Sequence, residues 1–445
     1  MKTQIFKTLS ISVALLLMPI TLCKSVALKN INIVDVENER VLTNMAVIIE
    51  NERIVKIVSS DKFDSTDDLQ VVNLSGKYVI PGLIDGHVHH ATDPDLWDDM
   101  ETTLKRLKSL LRGGVTTVRD MGGDTRVLAY LKRQARLNKI QSPDIHYSVI
   151  IGGPTFFEDP RTISSAKGYE AGTTPWMRSV TDDSSFDSVI LQAIGNGATG
   201  IKIYADVSGE QIQLLSDAAK KHGIKVWGHS FVGPDLPSKG SMRGIEVLSH
   251  VPDLSGEFIS DFKNWRRKKG KVKQSELEQA YRLKNYDELF SMMKERGVIL
   301  DATLLVFHQS REKTETRKHL YKLAVALTRY ANESGVTISA GTDAFSTEEK
   351  PYARLYDELY LLVDDAGLTP FQALTSATLN NAKVLGLESE IGSIEIGKVA
   401  NLVILDENPT RNIKAVRKVN HVIKYGKFVY LGAETEQIFD DIDNL

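Results

Sequence analysis

The chain has 445 residues, 42% of them hydrophobic and 25% charged, with a formal net charge of −3. That balance excludes disordered, collagen-like and polybasic proteins, and the length accommodates a barrel of ~250 residues with a smaller domain beside it. The slight excess of acid argues against nucleic acid as a partner.

Residues 1–27 read as an export signal. Lys2 and Lys7 precede an apolar run from Ile11 to Leu22, and Ser25 and Ala27 offer small residues for cleavage. The run is too short to span a membrane. The expectation is a secreted or periplasmic protein with no stable membrane insertion after cleavage. Loss of Lys2, Lys7 and Lys24, with no acid, takes the formal charge from −3 to −6. The one cysteine, Cys23, lies in this leader. Leu22 stands where a lipidated cysteine normally follows a small residue, so anchoring at Cys23 is disfavoured, and the mature chain has no thiol chemistry.

Residues 28–80 read as short strands around Ile31 to Val34, Met45 to Ile49 and Ile54 to Val58, with polar turns such as Glu50-Asn51-Glu52 between them. A matching β-rich piece, with strands at Ala400 to Leu405 and Val422 to Leu431, lies in residues 388–445. Neither piece alone buries much core, so the two are expected to form one small β-sandwich.

Residues 81–387 alternate strand and helix. Strands are predicted at Leu83 to His87, Val115 to Val118, Ile145 to Ile151, Gly200 to Tyr204, Lys225 to His229, Ile245 to His250, Val298 to Leu305 and Val336 to Gly341. Helical periodicity falls between most of them, at Leu96 to Leu111, Gln211 to Lys221, Glu276 to Arg296 and Lys318 to Ser334. Eight such units predict an α/β fold, a (β/α)₈ TIM barrel, with its loops after the strands at the catalytic face. Two of those loops are long, Gly152 to Asp183 and Val251 to Gln274, and the second carries Arg266, Arg267, Lys268, Lys269, Lys271 and Lys273. Such a run is read first as a solvated surface and second as a lid that attracts an acidic group.

In a barrel the strand ends meet at one site. His87 and His89, two apart on one strand, point the same way and can chelate one cation; His90 points away. His229, His250 and Asp343 end later strands. Lys202 sits inside an apolar strand, Gly200-Ile201-Lys202-Ile203-Tyr204, where an ammonium is costly to bury. Either an ion pair with an acid such as Asp343 neutralises it, or its deprotonated amine reacts with carbon dioxide to give an anionic carbamate. Arg119 reads as a structural ion pair with a nearby acid.

These residues together resemble the amidohydrolase superfamily. The likeness is carried by Pro81-Gly82-Leu83-Ile84-Asp85-Gly86-His87-Val88-His89, Lys202, Gly228-His229, Ser249-His250, Gly341-Thr342-Asp343, and Gly392-Ser393-Ile394 through Asp406-Glu407-Asn408-Pro409. Asn401 departs from the aspartate that many members have there. The resemblance implies two divalent ions, zinc by preference: His87, His89 and Asp343 on one, His229 and His250 on the other, with carboxylated Lys202 and a hydroxide between them. Asp343 would move protons, and Tyr204, on the same strand face as Lys202, would donate to the oxyanion.

Export and a bridging lysine fit the branch similar to prolidases and Xaa-Arg/Lys carboxypeptidases, which implies hydrolysis of a small peptide or N-acyl amino acid. Arg161, Arg178 and Arg243 are candidates to hold the substrate carboxylate. A lactonase or phosphotriesterase could use the same metals. A mononuclear imidazolonepropionase-like hydrolase or deaminase generally lacks the bridging lysine. A homo-oligomer is compatible with the sequence.

Overall fold

In a computed structural model the described residues are 25–65, 69–91, 99–267, 270–347 and 349–431. The leader up to residue 24, with Cys23, lies outside them, as do Lys268 and Lys269 of the basic run.

The terminal domain is built from β1 (Ser25–Asp35), β2 (Arg40–Glu50), β3 (Arg53–Ser59), β4 (Leu69–Asn73) and β5 (Tyr78–Pro81). They share one mixed sheet with β15 (Leu402–Leu405), β16 (Val419–Lys424) and β17 (Lys427–Leu431). The seam between the two ends of the chain is the antiparallel pair β5 and β15, with Ile80 opposite Val403. Strand β1 changes partner part-way, from β4 at residues 25–29 to β5 at residues 32–33. Asn30 turns the strand there with φ of 61°. The bend lets the sheet close over Leu28, Ile31, Ile33, Val47, Val79, Leu402 and Ile404 as a sandwich. Ala27 is buried inside β1, paired with Ile48 and Val71, so cleavage after Ala27 would remove a packed strand residue. Cleavage after Ser25 would spare it.

The barrel strands are β6 (Leu83–Val88), β7 (Val115–Asp120), β8 (Asp144–Gly152), β10 (Gly200–Ile203), β11 (Lys225–His229), β12 (Val247–Ser249), β13 (Ile299–Asp301) and β14 (Ile338–Ser339), with β9 (Met177–Ser179) added beside β8. All pair in parallel. The ring closes where Gly86 N donates to Ala340 O (3.0 Å) and Asp343 N to His87 O (2.9 Å). This is the predicted (β/α)₈ barrel.

Helices cover it for ordinary reasons. Gly209–His222 starts in a Ser208/Gln211 capping box, ends on left-handed Gly223, and buries Ile212, Leu215 and Ala219 along one face. The apolar run from Val298 was expected to stay extended to Leu305, but the strand stops at Asp301 and a helix spans Leu304–Ser310. The buried Glu358 carboxylate accepts from Leu304 N (2.9 Å) and Leu305 N (2.7 Å) and so caps that helix. An acid from a segment distant in sequence thus overrides the local pattern. The predicted helix Glu276 to Arg296 is two, Gln274–Tyr281 and Asp287–Arg296, broken by a 3₁₀ turn at Leu283–Tyr286.

Candidate active site

Register assembles the site. Lys202 lies opposite Trp227, two residues before His229; His229 lies opposite Ser249, Ser249 opposite Asp301, and Asp301 opposite Ser339. The interior is therefore layered. Ile84, Trp227, Val247 and Ile299, from the strand beginnings, form an apolar floor with the helix Leu379–Leu385. Arg119, Lys202, Ser249 and Asp301 lie above it, and the histidines lie at the mouth.

Neighbouring imidazoles are close. Ring centroids are 5.3 Å apart for His87 and His89, 5.0 Å for His87 and His250, and 4.9 Å for His229 and His250. Asp343 Oδ1 is 3.4 Å from His89 Nε2 and 4.0 Å from His87 Nε2. Ligand atoms of His87, His89 and Asp343 fall within 4.8 Å of one another, a spacing one cation can span.

The far side of these rings is anchored. His87 Nδ1 meets Asp301 Oδ2 at 2.7 Å and His89 Nδ1 meets Gly122 O at 3.1 Å. Carboxylate and carbonyl only accept, so each Nδ1 carries a proton and each ring turns its Nε2 toward the shared site. His250 Nδ1 pairs with Thr303 Oγ1 at 3.0 Å. Burial, reinforced by Lys202 for His87 and His229 and by His229 for His250, holds these three well below the ordinary histidine range, hence neutral. Three strand ends turn sharply to aim their residues inward: His250, Thr303 and Asp343 have φ of 68°, 49° and 45°. Left-handed backbone at non-glycine residues costs about 1–3 kcal/mol each and concentrates at functional sites. Asp85 steadies the last turn, accepting from Thr342 N (3.1 Å) and Thr342 Oγ1 (2.8 Å). A Cβ on Gly341 would lie 2.5 Å from both Asp301 Oδ1 and His87 Cβ, so only glycine fits there.

Lys202 is 0% exposed and donates to Ser249 Oγ at 2.8 Å. Among the described residues it has no ion-pair partner, so the pair with Asp343 considered above is not formed. Burial, then the nearby Arg119 charge, pulls its amine far below the ordinary lysine range.

Asp301 is the residue that sequence reasoning missed. Its Oδ2 accepts from His87 Nδ1, from Arg119 Nη2 (2.9 Å) and from Ser249 Oγ (2.9 Å), tying His87 to the support of Lys202. Arg119 is the expected structural ion pair, with Asp301 as its acid, and its guanidinium lies 4.9 Å from the Trp227 ring. A signal existed: Asp301 closes the apolar run Val298-Ile299-Leu300 just as His229 and His250 close theirs.

A family model for the amidohydrolase family matches residues 78–429, spanning β5 to β17 and every site residue described above. The chain belongs to the amidohydrolase family. Ochratoxinase of Aspergillus niger is 30% identical over 154 residues, 32% of this chain and 31% of its own length. Thus the chain matches about a third of that relative in sequence, while its solved structure superposes with a TM-score of 0.72 at 20% identity over 92% and 96% of the two chains. Imidazolonepropionase of Geobacillus sp. (strain WCH70) is 23% identical over 87% of this chain and 91% of its own. A Xaa-Pro dipeptidase structure with methionine in its active site superposes with a TM-score of 0.69 at 22% identity, covering 92% and 100%.

In this amidohydrolase His89, His229 and His250 line a cavity of about 460 Å³. Phe156, Phe231, Phe262 and Phe307 form an aromatic wall, and Arg161, Lys263, Arg266, Arg267 and Arg317 a cationic one. Both long loops contribute, so part of the basic run faces the site. Of the three arginines proposed for a substrate carboxylate, only Arg161 lines the cavity. Arg178 turns to Thr173 O (3.3 Å) and Arg243 to Lys239 O (3.2 Å). Tyr204 lines it too, with its ring 4.7 Å from that of His229 and its hydroxyl donating to Met121 O at 2.8 Å.

Proposed function

We propose that the chain is a binuclear metal-dependent hydrolase of a peptide or acyl-amino-acid amide bond. One observation carries this reading: a fully buried lysine amine with no carboxylate partner among the described residues, amid four histidines and an aspartate. A structural lysine would be paired. A neutral amine is instead a nucleophile for carbon dioxide, forming the Nζ–C bond and releasing one proton to leave a carbamate.

The donor set fits divalent metal. Neutral imidazoles with anchored Nδ1 atoms suit zinc. His87, His89 and Asp343 would hold one ion and His229 and His250 a second, with carboxylated Lys202 shared. Such ions, when bound, supply Lewis acidity and a water that ionises near neutral pH. The chain's own residues do the rest. Asp343 accepts the proton of the attacking water at a carboxylate oxygen and returns it to the leaving nitrogen. Tyr204, by turning its hydroxyl from Met121 O, donates to the substrate oxygen as charge develops there. The aromatic wall excludes water.

The test is metal analysis with a substrate panel. About two ions per chain, activity lost to chelator, and cleavage of dipeptides or N-acyl amino acids are expected. Turnover of lactones or phosphotriesters alone would overturn the amide reading. A cyclic-amide hydrolase is the second reading, favoured by the near full-length likeness to imidazolonepropionase; it requires one ion and a dispensable Lys202.

Two substitutions test the supporting residues. Asp301→Asn should weaken metal retention by roughly 10–100-fold in a chelator competition. It should also lower the melting temperature, because Arg119 keeps a buried charge without its partner. Tyr204→Phe should lower kcat by about 10²–10³-fold with KM little changed, if the hydroxyl donates in the transition state. A packing role would leave kcat intact.

A further inference from the structure

We propose that Arg317, assisted by Arg266, forms the carboxylate-binding subsite of the cavity and selects amides that carry a free carboxylate beside an apolar or aromatic side chain. The inference rests on the hydrolase reading above and deepens it.

The cationic wall is not neutralised from within. Asp159 serves both Arg161 (2.9 Å) and Arg267 (3.7 Å), Asp206 takes Lys263 (2.6 Å), and Asp253 takes Arg266 (2.7 Å). Five cations thus meet three carboxylates. Among the described residues none offers the Arg317 guanidinium a hydrogen bond or an ion pair, yet it is half-buried in the cavity wall. A partly desolvated guanidinium without a partner is costly, and its planar fork matches a carboxylate bidentately. Burial, then repulsion from Arg266, already depresses its basicity, so an incoming anion relieves both.

Position supports the same assignment. Arg317 lies in the first turn of the helix Glu315–Glu333, which packs on the helix Leu304–Ser310 carrying Phe307 and on the helix Phe262–Arg266 carrying Phe262 and Arg266. The cation and the aromatic wall therefore adjoin. Arg266 and Arg317 line the same cavity as His229, His250 and Asp343. A substrate with its amide at the histidines can place its carboxylate at the arginine pair and its side chain on the phenylalanines.

Calorimetric titration of the metal-loaded protein with 3-phenylpropionate and with its neutral amide, 3-phenylpropanamide, tests this. Wild type should bind the acid at least about tenfold more tightly, as expected for a charge-assisted pair. Arg317→Gln should weaken the acid by a similar factor and leave the amide within about twofold, which also reports an intact pocket. Equal binding of the two probes by wild type, or acid binding untouched by Arg317→Gln, overturns the subsite. Selective acid binding by a protein that cleaves no amide in the substrate panel would support the subsite while overturning the hydrolase reading.

Discussion

Lys202→Ala is expected to cut the metal content from about two ions per chain to one or none and to lower turnover by about a thousandfold or more, the equivalent of several kcal/mol of lost Lewis-acid stabilisation. The side chain is buried beside imidazoles and a guanidinium. His87 and His229 already feel its charge as repulsion, and Arg119 stands close by. The free ammonium would oppose every cation placed there; the proposed carbamate would reverse that sign. Alanine would remove that proposed anion and leave a cavity sized for a small carboxylate, so formate or acetate in solution should restore part of the activity and of the second ion. Plasma mass spectrometry and initial rates, with and without formate, read both. Unchanged turnover with one tightly held ion would remove the bridge and favour the cyclic-amide reading.

Asp343→Asn should lower kcat by about 10²–10⁴-fold, the contribution of a positioned acid–base group. Burial lifts the Asp343 carboxyl above the ordinary range, while neighbouring His89 and Lys202 pull it back. As a base it must be ionised, so wild-type kcat falls as pH drops through its pKa and holds above it. Asparagine does not titrate. The acid limb of the pH profile should therefore vanish in the variant, while metal content, measured alongside, is largely kept through the amide oxygen. An acid limb that persists in Asp343→Asn would assign the proton to another group.

His87, His89, His229, His250 and Asp343 were legible because each ends an apolar run, and a parallel barrel brings strand ends together whatever their separation in sequence. Lys202 stood out because a cation inside Gly200-Ile201-Lys202-Ile203 contradicts its neighbours. Asp301 follows the same pattern, masked by an apolar run that reads as extended to Leu305. What ends that run is Glu358, more than fifty residues on, through two backbone hydrogen bonds. Arg317 carries no local signal at all: a basic residue on a helix flanked by polar positions reads as solvated surface. Its lack of a partner among the described residues follows from Asp159, Asp206 and Asp253 being committed to other cations.

By itself the sequence determined the barrel, the composite terminal sheet and the residues at the strand ends, because hydrophobic period and strand-end chemistry are local properties that survive in one dimension. Only the tertiary structure decided that Lys202 has Ser249 rather than Asp343 for a partner, that Arg119 and His87 share Asp301, and which arginines reach the cavity. Those are pairings between side chains from different strands and loops, set by barrel register and by competition for a few carboxylates.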